Sequence, residues 1–184
     1  LYINQRNGTF ADEFEHCMAH TSFSSMGADI ADINNDGWLD IYVCNSGHIA
    51  SGNRINKLYI NNRNLTFTES AAKYGLNHSG FCTQASFFDY DLDGDLDLFV
   101  MNEPSNARTE RAKYNDANEK QYTNEITSDR LFRNDGNMHS TDVSTQAGVV
   151  SFCYGLGLKI CDLNGDQWPD VYVASDFKWA DQAL

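Results

Sequence analysis

The sequence predicts an all-β chain built from blade-like units of about four short antiparallel strands, each unit carrying a cation loop inside a hairpin. Three observations carry this prediction. A nine-residue aspartate stretch occurs three times, a run of β-branched and aromatic residues follows each copy, and an internal repeat sets all three copies in the same context.

The first stretch reads Asp32-Ile33-Asn34-Asn35-Asp36-Gly37-Trp38-Leu39-Asp40. It returns as Asp89-Tyr90-Asp91-Leu92-Asp93-Gly94-Asp95-Leu96-Asp97 and as Asp162-Leu163-Asn164-Gly165-Asp166-Gln167-Trp168-Pro169-Asp170. Side-chain oxygens stand at the first, third, fifth and ninth positions. Such alternation on a tight loop suits a hard cation that takes roughly six to eight oxygen ligands at about 2.3–2.6 Å, which is Ca²⁺. The backbone carbonyls at the seventh position (Trp38, Asp95 and Trp168) would add a ligand to each of up to three sites. Glycine at the sixth position, Gly37 and Gly94, permits the sharp turn.

The same opening begins an EF-hand, which requires a bidentate Glu at the twelfth position and a following helix. That position holds Val43, Val100 and Val173, which cannot ligate. The residues after each loop, Leu39–Val43, Leu96–Val100 and Pro169–Val173, have strand chemistry. A calcium loop closing a β-hairpin replaces the EF-hand.

The repeat orders the remaining elements. Leu1-Tyr2-Ile3-Asn4 returns 57 residues later as Leu58-Tyr59-Ile60-Asn61, and Asp32 returns as Asp89 at the same offset. The third unit begins at Leu131-Phe132-Arg133-Asn134, 73 residues after Leu58, and Asp162 follows Asp89 by the same 73. The units are therefore 1–57, 58–130 and 131–184, the last incomplete. Each opens with a Leu-aromatic-x-Asn strand, then a turn such as Asn7-Gly8 or Asp135-Gly136, and in the first two units a Thr-Phe strand. One helical turn ended by Gly is expected at Glu69–Gly75 and Asp142–Gly148. Apolar strands at Ala28–Ile33, Ala85–Phe88 and Leu156–Cys161 run into the aspartate loops, and the last strand leaves them. That content is a propeller blade. The extra residues of the second unit lie at Asn102–Asp129, a polar surface excursion that leaves the hairpin from the end opposite its calcium loop.

Composition limits the function. A hydrophobic fraction of 41% supports a core. Thirteen basic against 26 acidic residues give a net charge of −13, which argues against nucleic acid or an anionic membrane surface as partner. The loops hold 11 of those 26 acidic residues, and three bound Ca²⁺ would bring −13 to −7. No apolar run reaches membrane-spanning length. The five cysteines (Cys17, Cys44, Cys82, Cys153, Cys161) lack metal-ligand spacing and do not recur at equivalent positions. They read as small buried hydrophobes, with one disulfide left open. No G-x-S-x-G, H-E-x-x-H or phosphate loop occurs. His16 and His20 stand four apart, but the β context around Cys17-Met18 makes that spacing a coincidence.

The aspartate loop between two strands, repeated with Leu-Tyr-x-Asn and Gly-Leu punctuation, resembles the FG-GAP-like (VCBS) repeats of integrin-α-type propellers. Asn56-Lys57-Leu58-Tyr59-Ile60-Asn61 looks closest to the cartilage-acidic-protein and ASPIC/UnbV branch. The resemblance covers essentially residues 1–184. It implies a seven-bladed β-propeller, of which about three blades are present, so the remainder of the propeller would be missing from this chain. Carried over by position, it implies Ca²⁺ ligands at Asp32, Asn34, Asp36 and Asp40; at Asp89, Asp91, Asp93 and Asp97; and at Asp162, Asn164, Asp166 and Asp170. The third loop departs from the pattern, with Gln167 in place of the turn glycine and Gly165 two positions earlier.

The function expected is a calcium-binding module for protein interaction or adhesion. It would be extracellular, at the cell surface or periplasmic, because loops with Kd near 10⁻⁴–10⁻³ M would stay empty in a cytosol. Two alternatives stand beside it. One is a calcium-dependent carbohydrate-binding propeller with Trp179 or Tyr122 stacking sugars. The other is the propeller portion of a larger secreted hydrolase or lyase, the chain itself not being an enzyme.

Overall fold

The computed structural model describes residues 1–18, 24–46, 54–103, 127–149, 154–175 and 182–183. Strand β1 (Tyr2–Asn4) pairs with β2 (Phe10–Asp12) as a hairpin. Strands β3 (Ser25–Ala31), β4 (Asp40–Asn45), β5 (Lys57–Asn61) and β6 (Phe67–Glu69) form a four-stranded antiparallel meander. Strands β7 (Cys82–Phe88), β8 (Asp97–Asn102), β9 (Arg130–Asn134) and β10 (Ser140–Asp142) form a second. Strands β11 (Gly155–Cys161), β12 (Asp170–Ser175) and β13 (Gln182–Ala183) make a third sheet. The all-β architecture of four-stranded blades is therefore present.

Each complete sheet straddles two sequence units. It takes its aspartate-loop hairpin from one unit and its outer two strands from the next. The register is the same throughout, with Val43 opposite Lys57, Val100 opposite Arg130 and Val173 opposite Gln182. Val43, Val100 and Val173 all lie in strands rather than helices, which completes the case against an EF-hand. Asn102, the last residue of β8, stands at the end away from the aspartate loop, so the chain leaves this hairpin opposite its loop. The rest of the excursion, 104–126, lies outside the described residues, as do Tyr122 and Trp179.

Strand β8 shows why the sheets stack face to face. All six of its residues are buried, so it alternates between two apolar surroundings. Leu98 and Val100 join Tyr42, Leu58, Tyr74, Leu76 and Phe132 in a core between the first and second sheets. Phe99 and Met101 join Leu131, Leu158, Val171 and Val173 in a core between the second and third. Each such side chain contributes about 1.5–3 kcal/mol by leaving water. The strands that enter the loops, β3, β7 and β11, lie side by side. The Phe87 N–H donates to Asp29 Oδ2 at 2.7 Å and the Leu158 N–H to Gln84 Oε1 at 3.1 Å. On β3, Ile30 occupies the face that Ala85 and Leu158 bury in the following sheets, and here it is 55% exposed.

Three short helical turns stand between the strands of the described residues. Ala71–Tyr74 (α2) ends at Gly75, whose φ of 73° is left-handed, and Gly148 ends the corresponding turn of the third unit with a φ of 76°. The expected Gly-terminated turn is present in both places. Phe14–Cys17 (α1) corrects the sequence reading, which expects β structure around Cys17. The Glu13 carbonyl accepts the N–H groups of His16 and Cys17 there, closing one helical turn; His20 lies outside the described residues.

Cys17, Cys44 and Cys82 are buried free thiols, as the apolar reading expects, whereas Cys161 is free but exposed at the end of β11. Burial pushes the Cys82 thiol up to about 12, and the Cys44 thiol also stands well above its usual value. Cys153 lies outside the described residues. Among those residues no helix is long and apolar enough to cross a membrane.

Candidate metal centre

The three aspartate loops share one backbone design. The first Asp of each loop accepts the N–H groups of the fifth and sixth residues. Asp32 takes those of Asp36 and Gly37 at 3.0 and 2.7 Å, Asp89 those of Asp93 and Gly94 at 3.0 Å each, and Asp162 those of Asp166 and Gln167 at 3.2 and 2.9 Å. The fifth Asp accepts the seventh N–H at 2.9 Å in every loop, from Trp38, Asp95 and Trp168. These bonds curl each chain segment around its first and fifth carboxylates.

The backbone conformations match as closely. The fourth and sixth residues are left-handed in each loop: Asn35 and Gly37 at 56° and 86°, Leu92 and Gly94 at 59° and 95°, Gly165 and Gln167 at 81° and 75°. The third loop thus keeps the same path, with its glycine at the fourth position and Gln167 held in the left-handed region.

The ninth Asp is fixed across the sheet. Asp40 Oδ2 accepts the Ile33 N–H at 3.2 Å, and its Oδ1 accepts the Asn61 N–H at 2.8 Å. Asp97 repeats this with the N–H groups of Tyr90 and Asn134 at 2.8 Å each. Asp170 accepts the Leu163 N–H at 2.8 Å. The Asn of the Leu-aromatic-x-Asn motif therefore grips the aspartate loop of the preceding unit. In the sequence that Asn reads only as punctuation; its recurrence at the opening of each unit, as Asn4, Asn61 and Asn134, was the available signal.

The second loop gathers charge most tightly. Carboxylate oxygens of Asp89, Asp91 and Asp97 lie within 4.8 Å of one another, the one such acidic, His or Cys triplet among the described residues. Oxygens sharing a cation at about 2.3–2.6 Å are at most ~5 Å apart, so this spacing fits Ca²⁺. Asp91 Oδ1 is buried with no hydrogen-bond partner, an arrangement that is costly unless a cation meets it. Burial first, then the charges of Asp93 and Asp89, raise the Asp91 carboxyl above its ordinary range. Burial pushes Asp97 up to about 6, against the two backbone N–H bonds that favour its charged form. Asp40 is raised for the same first reason.

The other predicted positions divide. Asp95 turns its side chain out of its own loop, and Oδ1 accepts Asn35 Nδ2 of the first loop at 2.7 Å, leaving its backbone carbonyl as the donor expected at that position. In the first loop Asn34 replaces the third carboxylate, and Asp36 Oδ2 meets the Arg63 guanidinium at 3.2 Å, a partner the sequence did not suggest. In the third loop Asn164 takes the third position and accepts the Asp166 N–H at 2.9 Å. Backbone N–H groups, that of Gln167 foremost, lower the exposed Asp162 carboxyl. Between the first and second loops opens a cleft of about 370 Å³ lined by Asn34, Asn35, Tyr74, Asp95, Asn134 and Asn137 among others.

Compared with known families, the chain matches the family model described as FG-GAP-like repeat over residues 1–43 and 46–100. No curated protein matches it.

Proposed function

The chain belongs to the FG-GAP-like repeat family, a β-propeller-like interaction module, and from that premise we propose that it is a calcium-stabilised propeller segment acting in protein interaction or adhesion outside the cell. The observation that carries the calcium reading is the second loop, where three carboxylates converge and a buried Asp91 oxygen has no partner. Asp89, Asp91, Asp93 and Asp97, with the Asp95 carbonyl, would hold the ion there. Asp32, Asn34, Asp36, Asp40 and the Trp38 carbonyl would serve the first loop. Asp162, Asn164, Asp166, Asp170 and the Trp168 carbonyl would serve the third.

When bound, the ion would neutralise carboxylates that otherwise repel, and so tie the hairpin end. In this reading the metal is structural, the chain is not itself an enzyme, and further blades of the same propeller cover the exposed Ile30 face. A glycan ligand is the second reading, favoured by the amide-lined cleft beside the loops. The planar amides of Asn35 and Asn137 and the Asp95 carboxylate suit vicinal hydroxyls.

Thermal unfolding in about 2 mM Ca²⁺ against excess EDTA, with Mg²⁺ as control, tests the metal. At tenfold excess over Kd each site adds about 1.4 kcal/mol. Three sites would therefore raise the midpoint by roughly 8–16 °C for a chain of this size. The rise should vanish in an Asp36→Ala/Asp93→Ala/Asp166→Ala variant. An unchanged midpoint in Ca²⁺ would remove both the metal and the extracellular argument built on it.

A further inference from the structure

We propose that Asn134 is a positioning residue shared by two aspartate loops, so that cation binding at residues 32–40 depends on occupancy of residues 89–97. The proposal rests on the calcium reading above.

Asn134 ends β9 and is 6% exposed. Its backbone N–H donates to Asp97 Oδ1 at 2.8 Å, and its Oδ1 accepts the Gly136 N–H at 3.0 Å. Its Nδ2 donates to two carbonyls at 3.2 Å each, Leu96 of the second loop and Ile33 of the first. Ile33 stands between the candidate ligands Asp32 and Asn34, and its own N–H fixes Asp40. One buried side chain therefore touches both loops at peptide groups next to ligands. The counterpart in the first sheet, Asn61, grips Asp40 and the Leu39 carbonyl at 2.8 and 3.1 Å and accepts the Arg63 N–H at 2.8 Å as Asn134 accepts that of Gly136, so the bond to Ile33 is what a neighbouring loop adds.

A second contact runs in parallel. Asn35, between Asn34 and Asp36, donates to Asp95 Oδ1 at 2.7 Å. The Asp95 side chain thereby brings negative charge against the first loop while its backbone belongs to the second. A cation that orders Asp97 and the Asp95 carbonyl fixes Asn134 and the Asp95 side chain, and with them the Ile33 and Asn35 peptides. The first loop is then closer to its binding shape before its own ion arrives, which makes the coupling positive. With two hydrogen bonds carrying it, a change of about five- to tenfold in affinity is expected, at the low end of measured couplings between sites.

The two loops can be read separately because only the first holds a tryptophan. Under excitation selective for Trp, Trp38 in the first loop sensitises bound Tb³⁺, whereas the second loop, whose aromatic residue is Tyr90, stays dark. Trp168→Phe silences the third loop. In that background, Tb³⁺ luminescence reports the first loop, and calorimetry with Ca²⁺ counts the sites.

Asp93→Ala should weaken the first loop by about five- to tenfold. That dependence should disappear in Asn35→Gly/Asn134→Ser. Gly165 already occupies the fourth position in the third loop, and Ser retains an acceptor for the Gly136 N–H, so this variant keeps the turns. Circular dichroism checks that it folds. If the first loop binds Tb³⁺ equally well with and without Asp93→Ala, the coupling is wrong and the calcium reading stands. If the unsubstituted protein takes up no Ca²⁺ in the calorimeter, the calcium reading itself falls, and the coupling with it.

Discussion

A half-buried imidazole and a buried carboxyl push the acid response of this protein in opposite directions. His78 packs near the Phe132 ring, with centroids 6.2 Å apart, and its Nε2 lies 3.4 Å from Asn102 Nδ2. Burial first, then Arg130, lowers it to about 4. The unfolded chain therefore binds more protons between pH ~6.5 and 4, and the stability His78 contributes at neutral pH is lost as pH falls through that window. Asp97 has the reverse sign. Its folded value of about 6 lies above the unfolded one, so the cost of its charge is present above pH 6 and is relieved toward pH 4. His78→Gln should leave the Asp97 effect alone. In EDTA, urea midpoints at pH 7 and pH 5 should shift in favour of the variant on acidification, by up to about 1.4 kcal/mol per pH unit. Parallel behaviour of the two proteins would refute the assignment. The aspartates were legible in the sequence because spacing alone defines them. Asn61, Asn134, Arg63 and His78 were not, since their roles depend on which strand lands beside which loop.

At the scale of the element, the third loop is the informative one. Its shape equals that of the other two although Gln167 replaces glycine, which means that the loop's hydrogen bonds hold a non-glycine residue at a φ of 75°. The left-handed region costs an L-residue about 1–2 kcal/mol, part of which glycine gives back through its freer unfolded chain. Gln167→Gly should therefore stabilise the protein by roughly 0.5–1 kcal/mol, read as a higher thermal midpoint in EDTA. A lower midpoint would mean that the Gln side chain itself supports the loop. Strands and loops were readable because periodicity and ligand spacing are carried by contiguous residues. The helical turn at Phe14–Cys17 was not, because a single turn needs only the Glu13 carbonyl and leaves no repeating pattern. The turn at Ala71–Tyr74 announced itself through Gly75, a signal Met18 does not give.

For the molecule as a whole, neighbouring sheets come backbone to backbone at Gly27. A Cβ there would lie 2.5 Å from the Thr83 carbonyl oxygen, a backbone atom that cannot swing away. Gly27→Ala should force β3 and β7 apart and destabilise by about 1–3 kcal/mol, with a lowered urea midpoint as the readout. A neutral effect would show that these sheets slide freely. The blade content was foreseeable from the repeat, but not the way each sheet divides between two repeats, since a sequence period has no marked starting point until strands pair. That division has a consequence for heredity. The segment that recurs in the sequence and the sheet that folds are out of phase by half a blade. Loss or duplication of one 57-residue period would therefore remove or add an aspartate loop together with an outer pair, and the flanking loop would receive the Asn of whichever period follows. Recombination between periods can thus change the number of blades while no loop is left without its clasp.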